Sequence, residues 1–383
     1  MRAYVFTDSA LARQAGRFVW LDLDVERKEN ASFRSRYPIV ALPTYFVVDP
    51  RDERVLLRWV GGATVAQLNG LLDGAYGEFT RALRPPTGPQ DADDLVASAE
   101  RASGAGEAAV AADLYEQALA AASPEWPRYG RVVESLLLVY ALEGESEACA
   151  RLAAVELPRL AGSPSALNVS VTGLDCALAL PDTVSERRHW VDQLEAGTRA
   201  ALEDTASGAS ADDRSSALAV LMSARAAVGD SAGAARAARA WADFLDLAAA
   251  RARTPEERTV FDSHRLSAYL ELGEPERAIP MLEQSERDFP TDYNPPARLA
   301  VAYREMGQFE DAMQASGRAL QYAYGPRRLR VLETQASIQE KMGDRAGARA
   351  TLEEAVAYAG ALPEGQRSDA RTQALKRRLE SLR

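Results

Sequence analysis

The feature that most constrains this chain is a repeat of glycine, aromatic and small residues in its C-terminal half. Gly273 and Gly307 lie 34 residues apart, and Gly343 follows 36 residues later. Each glycine has matching neighbours, an aromatic four residues earlier or an alanine five residues later: Tyr269, Tyr303, Ala278, Ala312 and Ala348. A small residue lets two helices approach closely, and an aromatic fills the space between neighbouring pairs. The spacing therefore predicts a stack of helix pairs.

This register resembles the tetratricopeptide repeat family, whose unit is a helix pair of 34 residues. The resemblance is strongest over residues 256–361, and weaker copies surround Gly106, Gly144 and Gly229. It implies an all-α solenoid of about seven helix pairs over residues 91–362. The charged stretch 363–383 is then expected to be the capping helix of the array.

Residues 1–83 follow a different pattern. An apolar run, Phe18–Asp24, is followed by a polar stretch, a strand-like run after Pro43 and a second run over 54–62 that ends in glycine. Leu68, Leu71 and Leu72 then recur at helical spacing. This order resembles the later part of the thioredoxin superfamily. The expected fold class is thus a partial α/β thioredoxin-like segment, a proline-rich linker at 84–90 and the all-α solenoid.

The thioredoxin-like resemblance lacks its Cys-x-x-C. It places Met1 just after the central strand and the two cysteines, so the strands matched by Phe18–Asp24 and Thr44–Asp49 would lose a shared neighbour. We interpret this as a start that lies upstream. The chain as given is expected to be cytoplasmic, and it would be periplasmic or exported if an upstream segment carried a signal.

Composition excludes some function classes. The chain has 383 residues and a formal net charge of −11. Residues 1–84 hold 12 basic and 10 acidic side chains, so the acidic excess lies in the remainder. Binding to nucleic acid requires clustered cations and is not expected. No apolar run reaches the length of a membrane span. The many arginines and alanines with few lysines are expected to reflect the composition of the genome, which we expect to be bacterial, rather than a binding task.

Few residues offer catalytic or metal chemistry. The two cysteines, Cys149 and Cys176, show no redox or metal spacing, so we expect two buried apolar residues, with a disulfide as the alternative. His189 and His264 have no ligand-spaced partners. No hydrolase, nucleotide or zinc-protease motif occurs. The acids of the Phe18–Asp24 run and Glu26 suggest a solvated strand end rather than a cation site. No cofactor, metal or catalytic residue is expected.

Five residues are candidates for binding a partner. Pro43 and Thr44 match the cis-proline site of the thioredoxin-like family, where an extended peptide can pair with the backbone; the alternative is a purely structural turn. Arg298, Arg304 and Arg330 would form a cationic spot for a partner's carboxylate, against the alternative of solvated arginines on helix faces.

These features favour a non-catalytic scaffold that binds a peptide or helix of another protein in the groove of the repeats. The N-terminal segment would be a second docking surface. The alternative is a thiol-disulfide oxidoreductase whose cysteines lie upstream of Met1, because oxidoreduction needs a thiolate beside the cis-proline. The identity of the partner and the oligomeric state do not follow from the sequence.

Overall fold

The computed structural model of the chain describes residues 5–39, 41–81, 91–123 and 125–382. The expected linker 84–90 lies outside the described residues, as does Met1. The described residues form two compact units. The first unit contains residues 1–20 and 37–241, and the second contains residues 21–36 and 242–383. Among the described residues, no helix has both the length and the apolar character needed to cross a lipid bilayer.

The first unit begins with a small α/β element. Strands β1 (Thr44–Val48) and β2 (Val55–Val60) pair antiparallel, and helix α2 (Val65–Arg81) follows. Trp59 of β2 and Leu68 and Leu72 of α2 form a small core with Val5 and Ala63. Val55, Leu57 and Trp59 lie on one face of β2, and the 3.6-residue period of α2 places Leu68 and Leu72 on one face of that helix.

The strand expected over Phe18–Asp24 is not formed. Those residues belong to no helix and to no strand, and the described sheet contains only β1 and β2. A strand is stable only where a neighbour satisfies its backbone donors and acceptors, and no such neighbour is present in the described sheet. The thioredoxin-like fold is therefore not confirmed, although its later order of strand, strand and helix is present.

Helix pairs make up the rest of the first unit. The helices of the first four pairs are α3 (Ala92–Ala105), α4 (Ala108–Ala121), α5 (Tyr129–Glu143), α6 (Ser146–Glu156), α7 (Ala166–Ala179), α8 (Arg187–Glu203), α9 (Ala211–Ala227) and α10 (Ser231–Ala250). The boundary between the units falls within α10. Cys149 in α6 and Cys176 in α7 form a disulfide, with their Cα atoms 6.0 Å apart. Our expectation of two reduced apolar cysteines was therefore wrong: both are buried, but they face each other across the α6–α7 contact.

The second unit continues the pairs. Its helices are α1 (Ala31–Arg36), α11 (Pro255–Thr259), α12 (Asp262–Glu271), α13 (Ala278–Asp288), α14 (Asn294–Glu305), α15 (Phe309–Tyr322), α16 (Gly325–Met342), α17 (Arg345–Ala361) and α18 (Asp369–Ser381). Leu375 of α18 packs with residues of α16 and α17 in one apolar cluster, as a capping helix does.

The repeat register explains the local structure of these pairs. Gly273, Gly307 and Gly343 all have positive φ, a backbone conformation that glycine adopts without a steric penalty. The alanines of the register, such as Ala312 and Ala348, are fully buried between helices. The glycines identified by their spacing therefore lie at the turns of the array, and the alanines lie where its helices cross closely.

Candidate protein-binding sites

A polar groove lies on the first four helix pairs. Side chains of α3, α5, α7 and α9, the first helix of each pair, line a cavity of about 230 Å³ together with the end of β2. Its polar walls include Arg131, Glu134, Asn168, Asp213 and Ser216. The groove thus combines charged groups with apolar helix surface, an arrangement typical of specific binding sites.

The antiparallel pair of β1 and β2, called the hairpin below, is fixed against this groove by contacts of Arg58 in β2. Its backbone N–H donates to the Glu100 carboxylate at 3.0 Å, and its guanidinium donates to the backbone carbonyl and the hydroxyl of Ser103, both at 3.3 Å. Arg131 of α5 donates to the Arg58 carbonyl at 3.0 Å and stacks 4.0 Å from the Trp59 ring centroid. Both arginines are therefore engaged in holding the hairpin.

Two carboxyl groups in the groove have perturbed acidity. Burial raises the pKa of Glu134 to about 7; the Asp213 charge adds to the rise, while Arg131 and hydrogen bonds from Ser165 and Asn168 oppose it. Burial also raises the pKa of Asp213, against hydrogen bonds from Ser210 at the start of α9. Desolvated carboxyls of this kind gain from a cation that enters the cavity.

A second candidate site lies in the second unit and is occupied by the chain itself. Asp24 accepts hydrogen bonds from both terminal nitrogens of Arg327, each at 3.1 Å, and from the Tyr324 hydroxyl. Glu26 forms an ion pair with the same Arg327. Burial raises the pKa of Asp24, but the hydrogen bond from Tyr324, the backbone N–H of Glu26 and the Arg327 charge outweigh it and lower the pKa overall.

The backbone of this segment is held as well. Gln366, in the loop before α18, donates its amide to the carbonyls of Val25 at 3.1 Å and Arg27 at 2.9 Å. The Arg27 guanidinium lies 5.0 Å from the Tyr324 ring centroid. Asp24 and Glu26 are therefore not a solvated strand end, as the sequence suggested, because the side chains that bind them come from about 300 residues further along the chain.

The five predicted site residues have different surroundings. The peptide bond before Pro43 is cis, and the Pro43 carbonyl accepts the Gly61 N–H at 2.8 Å. The Thr44 hydroxyl donates to the Ala41 carbonyl at 2.6 Å. The hydrogen bonds described for Pro43 and Thr44 are therefore both made to other residues of the N-terminal segment 1–83.

The three predicted arginines differ in their surroundings. Arg298 and Arg330 lie near the Tyr293 hydroxyl, on which the charge of Arg327 also acts. Arg304 pairs with Glu305 at 2.7 Å and donates to Ser337 at 3.3 Å. The charges of Arg298 and Arg330 therefore both act on Tyr293, together with that of Glu26, and Arg298 also lies near Asp262 and Asp292. Arg304 is engaged with Glu305 and Ser337.

Sequence reasoning missed Arg327, the cation at the centre of the second site. A usable signal was present: Gly325-Pro326 opens α16 and is followed at once by Arg327, Arg328 and Arg330. Positive charges near a helix N-terminus oppose the helix dipole, so such a cluster needs an anion to compensate it. Arg328 pairs with Glu354 at 3.0 Å, and Arg327 pairs with Asp24 and Glu26.

The described residues contain no group of three or more His, Cys, Asp or Glu arranged to hold a metal ion. Residues 269–338 match the family model of the tetratricopeptide repeat. No protein among the curated sequences matches the chain.

The solved structures that are similar to the chain include three repeat proteins. A tetratricopeptide repeat protein from Parabacteroides merdae has 11% identity and a TM-score of 0.44, covering 76% of this chain and 98% of its own. The yeast Sti1 TPR2AB domain, solved as a complex with an HSP90 peptide, has 15% identity and a TM-score of 0.29, covering 76% and 98%. Yeast Tom70 has 10% identity and a TM-score of 0.18, covering 82% and 93%.

Proposed function

We propose that this chain, whose residues 269–338 are tetratricopeptide repeats, is a protein-interaction scaffold that binds an extended peptide segment in the groove of its first four helix pairs. The observation that carries the proposal is the cavity of about 230 Å³ between the first helices of these pairs and the end of β2. Stacked helix pairs present such grooves as extended binding surfaces.

The chemistry of the groove favours a segment with a basic side chain. Glu134 and Asp213 line the cavity; Arg58 and Arg131 are bonded to the hairpin contact, and the Arg131 charge also acts on Glu134. Leu138 and Val171 supply apolar wall. A lysine or arginine of the partner would bury its stem on these apolar residues and place its charge beside the carboxylates.

The oxidoreductase alternative, whose cysteines would lie upstream of Met1, has no supporting observation among the described residues. The two cysteines of this sequence are joined in the α6–α7 disulfide. The role of Pro43 and Thr44 as a second docking surface stays a proposal. The polar groups described for both residues are hydrogen-bonded to other residues of the N-terminal segment 1–83.

The test is a selection of peptides from a displayed random library against the full-length chain. Selected peptides are expected to share a basic residue, and Glu134→Gln is expected to weaken their binding about tenfold or more, because it removes one partner of a buried charge pair. Asp213 is left unchanged because it caps α9 together with Ser210. The matched control is Glu147→Gln, which alters an exposed acid on α6.

The pH dependence gives a second readout. Because burial raises the pKa of Glu134 to about 7, this carboxyl becomes neutral as the pH falls below 7. Affinity for a cationic side chain is therefore expected to fall from pH 8 to pH 6 in the native chain and to change less in Glu134→Gln. Selected peptides that bind Glu134→Gln as tightly as the native chain would contradict the proposal.

A further inference from the structure

The cavity of the first unit has charges of both signs beside apolar side chains. On α5, Arg131, Glu134, Leu138 and Leu142 recur at intervals of three and four residues, and all of them line the cavity. Residues at this spacing lie on one face of a helix, each about one turn from the next. The wall of the cavity therefore changes along α5 from a cation to a carboxyl group and then to apolar side chains.

The facing helices add to both parts of this wall. Asn168 of α7 donates a hydrogen bond to Glu134, and Val171, about one turn further along α7, also lines the cavity. The charge of Asp213, near the start of α9, acts on Glu134 as well. Two carboxyl groups from different helices therefore belong to the polar part of the cavity, and apolar residues of α5 and α7 complete it.

Arg131 is fixed in orientation but retains a donor. Its guanidinium lies 4.0 Å from the Trp59 ring centroid, and one of its terminal nitrogens donates to the Arg58 carbonyl at 3.0 Å. Among the described residues, no acceptor is bonded to its other terminal nitrogen or to its buried Nε. A guanidinium held in this way can still bind a carboxylate through the second terminal nitrogen.

Burial disfavours both kinds of charge in this cavity. It raises the pKa of Glu134 to about 7, although the Arg131 charge opposes the rise. It also lowers the pKa of Arg58, another residue of the cavity wall, against the charge of Glu100. A ligand that carries both signs stabilises both charged groups, whereas a ligand of one sign stabilises only one of them.

The size of the cavity limits its occupant. Benzene fits a cavity of roughly 150 Å³, and the pockets of drug-sized ligands measure about 300–1,000 Å³. The cavity here, at about 230 Å³, lies between these values and has room for one amino acid. The ammonium and the carboxylate of an α-amino acid are attached to one carbon atom, and side chains one turn apart, as Arg131 and Glu134 are, can reach both groups.

We propose that this cavity binds a free α-amino acid with an apolar side chain. The ligand carboxylate accepts a hydrogen bond from Arg131, the ammonium donates to Glu134, and the side chain packs on Leu138 and Val171. This site goes beyond the peptide scaffold and does not require a bound peptide. Because both ligands would use Glu134, the amino acid would compete with a partner peptide and so regulate the groove.

The experiment titrates leucine, valine and phenylalanine into the full-length chain at pH 8 and measures binding by isothermal titration calorimetry. At least one of them is expected to bind with a Kd below about 1 mM. For the tightest of the three, the amide lacks the carboxylate and the des-amino acid lacks the ammonium, while glycine lacks the apolar side chain. Each of these analogues is expected to bind at least about tenfold more weakly, because it leaves one part of the cavity unfilled or unpaired.

Glu134→Gln tests the recognition of the ammonium. It is expected to weaken binding of the amino acid at least about tenfold and to leave binding of the des-amino acid unchanged, since that analogue has no ammonium to donate to Glu134. A variant that was merely misfolded would lose both ligands. Glu147→Gln, which alters an exposed acid on α6, is the matched control and should leave both affinities unchanged.

The outcomes separate this site from the peptide scaffold. Amino-acid binding without any selected peptide contradicts the peptide proposal alone, and peptides that depend on Glu134 without amino-acid binding contradict the amino-acid site alone. A Kd above about 1 mM for all three amino acids, equal binding of the amide, or equal amino-acid binding by Glu134→Gln would each overturn the inference.

Discussion

Two N-terminal pieces of this chain pack on helix pairs, and they do so by different means. In the first unit, β2 lies against α3 and α5 with Val55, Leu56, Leu57 and Trp59 all buried. In the second unit, the segment Leu21–Arg36 lies along the loops before α16 and α18, held mainly by Arg327 and Gln366. The first contact combines buried apolar side chains with the hydrogen bonds of Arg58 and Arg131, and the second is mostly polar.

This difference predicts which of the two contacts persists when the chain fluctuates. Burying a large apolar side chain contributes about 1.5–3 kcal/mol, whereas a partly exposed ion pair such as Arg327–Asp24 contributes about 0–1 kcal/mol. The Glu26 carboxylate on the same arginine is 5% exposed, so the segment also contains a buried ion pair. Because the segment buries few apolar side chains, we expect it to open without loss of the helix pairs, and we expect the hairpin to be an integral part of the first unit. Changes to the first unit should alter its stability, while changes to the segment should alter its exposure.

The largest expected effect comes from the disulfide, which belongs to the first unit. Replacing Cys149 and Cys176 by alanine removes a cross-link between residues 27 apart and is expected to cost about 2–4 kcal/mol. Hydrogen exchange in urea should show lost protection in α6 and α7, and unchanged protection in α16. Reductant should reproduce this in the native chain and have no effect on the double variant. Equal losses of hydrogen-exchange protection in both units would contradict the expectation that the disulfide stabilises the first unit alone.

A substitution under the hairpin tests its apolar contact. A Cβ added to Gly104 in α3 would lie 2.5 Å from the Val55 Cβ, so Gly104→Ala must push β2 away from α3. We expect a net loss of about 1–3 kcal/mol from this overpacking, even though alanine is the better helix former by about 1 kcal/mol. The measurement is thermal unfolding followed by circular dichroism.

Gly70→Ala in α2 is the matched control for that substitution. Nothing lies within 4 Å of the added Cβ there, so only helix propensity remains and Tm should rise slightly. A similar rise in Tm for Gly104→Ala would show that the hairpin moves away from α3 at little cost in free energy. The contrast between the hairpin and the segment of the second unit would then disappear.

The repeat register was predictable because its determinants are local. A left-handed turn residue and a small residue at a helix crossing are required at fixed distances along the chain, so Gly307 and Ala312 can be recognised without knowing the fold. A strand is different, since its existence depends on a neighbour. Phe18–Asp24 has the composition of a strand but lacks a partner in the described sheet, and it forms no strand.

The second site was only partly predictable for a related reason. Arg298 and Arg330 were recognised as cations on one helical surface, and they lie near Tyr293 in the structure. Arg327 and its two acids are more than 300 residues apart in sequence, and no local pattern connects them. The unfavourable cluster of arginines at the start of α16 marks a need for anions but does not specify which acids supply them.

The smallest expected effect on stability, and the sharpest test of the contrast, comes from Gly365→Ala in the loop before α18. The added Cβ would lie 2.4 Å from the Ala31 carbonyl, a backbone atom that can move only if the segment moves. Because the segment buries few apolar side chains, we expect a cost of about 0.5–1 kcal/mol or less, with Tm almost unchanged. Trypsin should cleave after Arg27, Lys28 and Arg34 several-fold faster than in the native chain. Gly360→Ala in α17, where nothing lies within 4 Å, is the control and should leave cleavage unaltered. Unchanged cleavage in Gly365→Ala, or a fall in Tm as large as that of Gly104→Ala, would mean that the Leu21–Arg36 segment is as integral to its unit as the hairpin is to the other.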